Sequence, residues 1–128
     1  MSVIDISKIK AVKIPKPFER AIKVILAPDT QDDVKGVSLT MGILYPHSNN
    51  DLHTHEGLEM LYIVNGYGKA KIGGKEYDIK EDSLIIALPG IEHQQINQSD
   101  ETMKMFAIWL PPVSSKEVIE RAEAAARE

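Results

Sequence analysis

From Val37 onward the chain alternates apolar and polar residues with period two. Val37, Leu39, Met41, Ile43 and Tyr45 fall on one side of an extended segment, with Ser38, Thr40 and Gly42 opposite. That is the signature of a half-buried strand, and the apolar side is expected to face the core. Further strands are predicted over Glu59–Val64, Tyr67–Ile72, Lys75–Ile79, Leu84–Leu88 and Thr102–Leu110. Gly73-Gly74 between two of them is a two-residue hairpin signal, because both glycines tolerate positive φ. Asn65-Gly66 and Pro89-Gly90 mark other turns. Ahead of this block, Pro15, Pro17 and Ala21–Leu26 read as an arm and an edge strand, and Pro28–Asp33 as a polar surface loop. Strands joined by turns, without helices between them, predict an all-β antiparallel sandwich or barrel.

Only the tail has helical character. Ser114 and Glu117 have capping-box spacing, and Val113 and Val118 occupy the positions of a hydrophobic staple. Val118, Ile119, Ala122 and Ala126 then form a narrow apolar stripe, expected to pack on the sheet rather than to serve the site.

Composition narrows the functional classes. The 128 residues suit one domain, and their net charge of −4 with 5% aromatics disfavours nucleic acid and anionic membranes as partners. Apolar runs stop at five residues (Met60–Val64, Leu84–Leu88, Phe106–Leu110), far short of the roughly 20 that a spanning helix needs. There is no cysteine, hence no disulfide, thiolate ligand or Cys nucleophile. The N-terminus interrupts its apolar residues with Asp5, Lys8, Lys10 and Lys13, unlike a signal peptide, so a cytoplasmic location is expected. A small barrel must also cover its edges, and the segment Ile14–Leu26 is expected to add a strand to a partner subunit in a homodimer.

The chemistry concentrates in three of the four histidines. His53 and His55 are separated by one residue, so on an extended chain both imidazoles project from one face. Glu59 follows four residues after His55, and His93 comes about 40 residues later, after the Pro89-Gly90 turn. Three neutral imidazoles and one carboxylate suit a divalent first-row metal, and would leave positions open on an octahedral ion. By the same alternation Leu61, Ile63, Gln95 and Asn97 face inward. Gln95 either hydrogen-bonds a substrate oxygen, as a catalytic residue, or is a satisfied structural amide. Trp109, Met105 and Met41 are available as apolar walls. His47 reads as a solvated loop residue, and Glu56 and Glu92 as exposed neighbours of the histidines. No Lys or Arg lies at an inward position within these blocks.

The two blocks, His53-x-His55-x-x-x-Glu59 with Gly66 and Pro89-Gly90-x-x-His93-x-x-x-Asn97, resemble the two motifs of the cupin superfamily. The resemblance runs from about Val37 to Trp109. It implies a single cupin domain over residues 1–128, a jelly-roll β-barrel (double-stranded β-helix). Residues 1–33 would form the arm and edge strand, 37–110 the barrel and 114–127 the helix. It also implies His53, His55, Glu59 and His93 as ligands of one divalent ion (Fe, Mn, Ni, Zn or Co). Three turn positions depart from the pattern: His47 and Asp82 stand where glycine is usual, and Leu88 where proline is usual. The function implied is a metal-dependent enzyme acting on a small oxygen-bearing organic molecule, by dioxygenase, isomerase or epimerase, decarboxylase or lyase chemistry. The alternative is a non-enzymatic, metal-containing module that binds or senses a small molecule.

Overall fold

A computed structural model describes residues 3–30 and 34–127. Gln31–Asp33, part of the polar loop expected over Pro28–Asp33, lie outside the described residues, as do Met1 and Ser2 at the start of the arm. Among the described residues a short 3₁₀ turn, Ile6–Lys8, precedes nine strands: β1 (Val12–Ile14), β2 (Arg20–Leu26), β3 (Ser38–Leu44), β4 (Leu58–Asn65), β5 (Tyr67–Ile72), β6 (Lys75–Lys80), β7 (Leu84–Ala87), β8 (His93–Asn97) and β9 (Met103–Leu110). One helix, α1 (Ser115–Arg127), closes the described chain.

The strands form two antiparallel sheets, one in the order β1-β2-β3-β9-β4-β7 and the other β6-β5-β8. Facing each other, they enclose a jelly-roll barrel. Leu44, Leu61, Ile63, Met103 and Met105 of the larger sheet pack there with Ala70 and Ile79 of the smaller. Gly68 permits the close pairing of β5 with β8, since a Cβ at this position would lie 1.8 Å from the Ile96 carbonyl oxygen. The Gly73-Gly74 turn joins β5 to β6 with φ of 56° and 84°, values that glycine adopts without strain.

Two expectations are corrected, on the edge strand and on the face of β3. The segment Ala21–Leu26 is not an edge: β2 pairs with β1 on one side and β3 on the other, so β1 holds the edge. Most of Ile14–Leu26 therefore has its backbone groups committed within the chain. The face of β3 is also reversed. Thr40, Gly42 and Leu44 line the barrel's cavity, whereas Leu39, Met41 and Ile43 face away from it, Met41 buried there and the other two half-buried. A ligand cavity accepts small and polar residues on its inner face, which defeats the rule that the apolar side points inward. Finally, His47 and Asp82 adopt φ of 58° and 66°. The turns that glycine usually occupies thus keep their left-handed backbone, at a cost of roughly 1–2 kcal/mol per residue.

Helix α1 starts as predicted, with the Glu117 amide donating to Ser114 Oγ at 3.1 Å. The Glu117 carboxylate does not complete the box; it accepts from Arg121 Nη2 at 3.0 Å. The apolar stripe packs Val118 and Ala122 against Ile14 of β1 and Ile22 of β2, across the barrel mouth.

Candidate metal centre

His53 and His93 sit directly opposite one another in an isolated antiparallel bridge. The His53 amide donates to the His93 carbonyl at 3.1 Å, and the His93 amide to the His53 carbonyl at 2.9 Å. That bridge brings residues 40 positions apart into register at the start of β8. Glu59 enters from β4, where the alternation that buries Leu61 and Ile63 also turns its carboxylate inward. One ligand atom from each of His53, His55, Glu59 and His93 lies within 4.8 Å of every other. The ring centroids of the three imidazoles are 4.4–5.1 Å apart, and Trp109 meets His55 edge-on at 4.4 Å.

Electrostatics fit a cation. Burial pushes the Glu59 carboxyl up, but the close imidazoles of His55, at 3.4 Å, and His93, hydrogen-bonded at 2.7 Å, outweigh it and hold the group at about 2. Burial pulls His53 below its ordinary 6.5, and the adjacent imidazoles add to the effect against partial opposition from Asp51. Burial also acts downward on His93, yet its hydrogen bond to Glu59, 2.7 Å from Nε2, carries it above 6.5. His55 Nε2 is buried without a hydrogen-bond partner. A buried ring nitrogen without a partner, 3.4 Å from the Glu59 carboxylate and beside two other imidazoles, belongs to a donor set that a divalent ion would satisfy.

Further residues shape the cavity. Gln95 is 1% exposed. Its Oε1 accepts from Asn50 Nδ2 at 2.8 Å, while its own amide donates to Asn50 Oδ1 at 2.8 Å. The second bond fixes the orientation of the Asn50 amide, and that in turn fixes Gln95. Gln95 Nε2 then has no partner and lines the cavity, so its donor is free for a bound oxygen. Asn97 is not on the wall. Its Nδ2 reaches the carbonyls of Leu44, Tyr45 and Glu101 at 2.8–3.1 Å, and its Oδ1 takes the Ser99 amide and hydroxyl, so it ties together two loops. Leu61, Met105 and Trp109 line the cavity; Met41 does not. His47 is exposed, paired with Asp100 at 2.7 Å, and Glu56 and Glu92 are exposed as expected.

Several cavity residues escaped the sequence reading. Arg20, 8% exposed, donates to the Phe18 carbonyl at 3.1 Å and lies 3.5 Å from Asp51 Oδ1. Asp51 also lines the cavity, as the only carboxylate among the described lining residues apart from Glu59. Arg121 arrives from α1 to touch His55 Nδ1, and Val118 and Ala122 accompany it, so the helix does border the site. Cationic groups therefore reach the cavity from outside both motifs. Asp51 alone carried a usable signal, through its position two residues before His53.

A family model described as "Cupin domain" matches residues 41–109. An L-ectoine synthase of Aliivibrio fischeri (strain MJ11) is 30% identical over 89 residues, covering 69% of this chain and 70% of that protein. Among solved structures, an ectoine synthase from P. lautus superposes with a TM-score of 0.77 at 19% identity, covering 94% of this chain and 86% of the other. A predicted oxalate decarboxylase from Thermotoga maritima gives 0.76 at 22% identity, covering 86% and 99%.

Proposed function

Because this chain belongs to the cupin family, we propose that it is a metal-dependent enzyme acting on a small, oxygen-bearing organic molecule. The observation that carries this reading is the convergence of three imidazoles and one carboxylate, of which His53, His55 and Glu59 line a cavity while His93 is buried behind them. His53, His55, Glu59 and His93 would hold the ion. When bound, it supplies Lewis acidity toward a substrate oxygen. Among the residues of the chain itself, Gln95 Nε2 offers a buried hydrogen bond to that molecule, aimed by Asn50. Asp51, steadied by Arg20 at 3.5 Å, is positioned to accept or return a proton. Trp109, Leu61 and Met105 give one side of the cavity an apolar lining, and a low local dielectric strengthens polar contacts made beside it. A proton-handling carboxylate beyond the ligand set favours catalysis over a purely binding module. The names of the matched relatives, an ectoine synthase and a predicted oxalate decarboxylase, agree with a small organic substrate.

Metal analysis of the anaerobically purified protein, with a panel of β-dicarbonyls, enediols and hydroxy acids, tests the proposal. Iron with dioxygen uptake would mean a dioxygenase. Zinc, nickel or manganese with carbonyl or sugar turnover would mean isomerase or lyase chemistry. Tight ligand binding without turnover, unaffected by Asp51→Asn, would replace the enzyme reading by the binding module.

A further inference from the structure

The three imidazoles differ on the side away from the proposed ion. His53 Nδ1 donates to the Asp51 carbonyl at 2.7 Å and His93 Nδ1 to the Ile91 carbonyl at 3.0 Å. With an ion bound, each bond would keep the proton on Nδ1 and present Nε2 for coordination, whereas without one His93 Nε2 donates to Glu59 at 2.7 Å. His55 Nδ1 instead meets the guanidinium of Arg121. A guanidinium only donates, so here Nδ1 must accept, and the His55 proton resides on Nε2. Coordination through Nε2 needs the reverse arrangement, with the proton on Nδ1. Two N–H groups cannot share that contact. A cation at His55 Nε2 and Arg121 at His55 Nδ1 therefore exclude each other.

We propose that Arg121 is an anion-binding residue that metal loading releases, and that its ligand is the carboxylate of a small organic acid. The proposal rests on the metal-site reading above. With the ion in place, a carboxylate between the two groups accepts from His55 Nδ1–H and from Arg121 at once, replacing a repulsive contact by two charge-assisted bonds. Arg121 suits the task because its other arm is anchored: Nη2 holds Glu117 at 3.0 Å on the solvent side. Arg20 is already committed to Phe18 and Asp51. With Arg20 balanced by Asp51 and Arg121 by Glu117, a divalent ion with Glu59 leaves the cavity one positive charge in excess, which an anion neutralises. The ligand class is thus a carboxylate bearing a second oxygen that reaches the ion near Gln95.

Zinc affinity, measured by competition with a chromophoric chelator, tests the coupling in wild-type protein and in Arg121→Met, with acetate, with its neutral isostere acetamide, or with neither. Without acetate, Arg121→Met should bind zinc more tightly than wild type, by about fivefold or more for a coupling of ordinary size. Acetate, and not acetamide, should tighten zinc binding to wild type and leave Arg121→Met unchanged. Equal or weaker zinc binding by Arg121→Met, or an equal acetate effect on both proteins, overturns the proposal. Absence of zinc binding by wild type overturns the metal reading as well. Should the variant fail to fold, the imidazole ¹⁵N shifts of wild type decide: the His55 proton must move from Nε2 to Nδ1 on adding zinc, and a proton already on Nδ1 in the metal-free protein refutes the mechanism.

Discussion

Glu59→Gln is the most informative single perturbation of the site. Glutamine matches the protonated carboxyl in size and charge, so the variant imitates a permanently neutral Glu59. In the metal-free protein the carboxyl is held at about 2 instead of its ordinary 4.5, because His55 and His93 favour its anion more than burial disfavours it. A group with a depressed folded-state value contributes stability that is fully present above the unfolded value and is lost as pH falls through the folded one. The contribution is therefore roughly 3 kcal/mol well above pH 4.5, fading between 4.5 and 2. Urea denaturation of chelator-treated wild type and Glu59→Gln should differ by about this amount at pH 7, the gap narrowing only below pH 4.5. Zinc titration of the same pair should show weaker binding by the variant, since the site loses its only anionic donor. A variant as stable as wild type at pH 7 would refute the paired, ionised Glu59 on which the argument stands. A gap that already closes between pH 7 and 5 would also refute it, because protonation of His93, held above 6.5 by this same pairing, should widen the gap as pH falls through that range.

Other outcomes follow from the same geometry. Gln95→Ala should retain its metal, by elemental analysis, and lose roughly 10²–10³-fold in turnover if the free amide donates to a developing oxyanion. Unchanged turnover and ligand affinity would make Gln95 structural. Gly68→Ala should destabilise by about 3 kcal/mol or more in chemical denaturation, because the new methyl meets a β8 carbonyl oxygen in the paired strands. His47→Gly should stabilise, by up to ~1 kcal/mol, by relieving the left-handed backbone at φ 58° while losing only an exposed contact to Asp100. Metal retained after dialysis should fall as pH drops from 8 through 6, because coordination needs neutral imidazoles, and His93, held above 6.5, gains its proton before His53, held below. Constant metal content down to pH 5 would contradict an imidazole-based site.

The parts of this molecule that were legible in the sequence are those set by local rules. Turn chemistry at Gly73-Gly74 and Pro89-Gly90 delimits strands within a residue or two of β5, β6 and β7. The spacing of His53, His55 and Glu59 survives folding because the bridge to His93 and the inward turn of β4 both follow from alternation. Asn97 shows the limit of that reasoning. Alternation correctly turns it inward, but a side chain with five hydrogen-bond contacts to two loops is a tie and not a wall.

What alternation cannot supply is the content of the space that a strand faces. The inner side of β3 carries Thr40 and Gly42 because a cavity lies there, so polarity on that strand reports a site and not solvent. Arg20 and Arg121 come from elements outside both motifs, and the contact between Arg121 and His55 spans 66 residues. No periodicity links such positions; only the packing of α1 on Ile14 and Ile22 does. The five-residue apolar runs in β4, β7 and β9 are the complementary case. A strand that is apolar on both sides must be covered on both sides. One cover is the barrel core formed by Leu61, Ile63, Ile85 and Ala107. The other side, with Tyr62, Ile86 and Leu110, is open to solvent in a single copy of the chain, so apolar alternation alone does not tell a core face from a surface here.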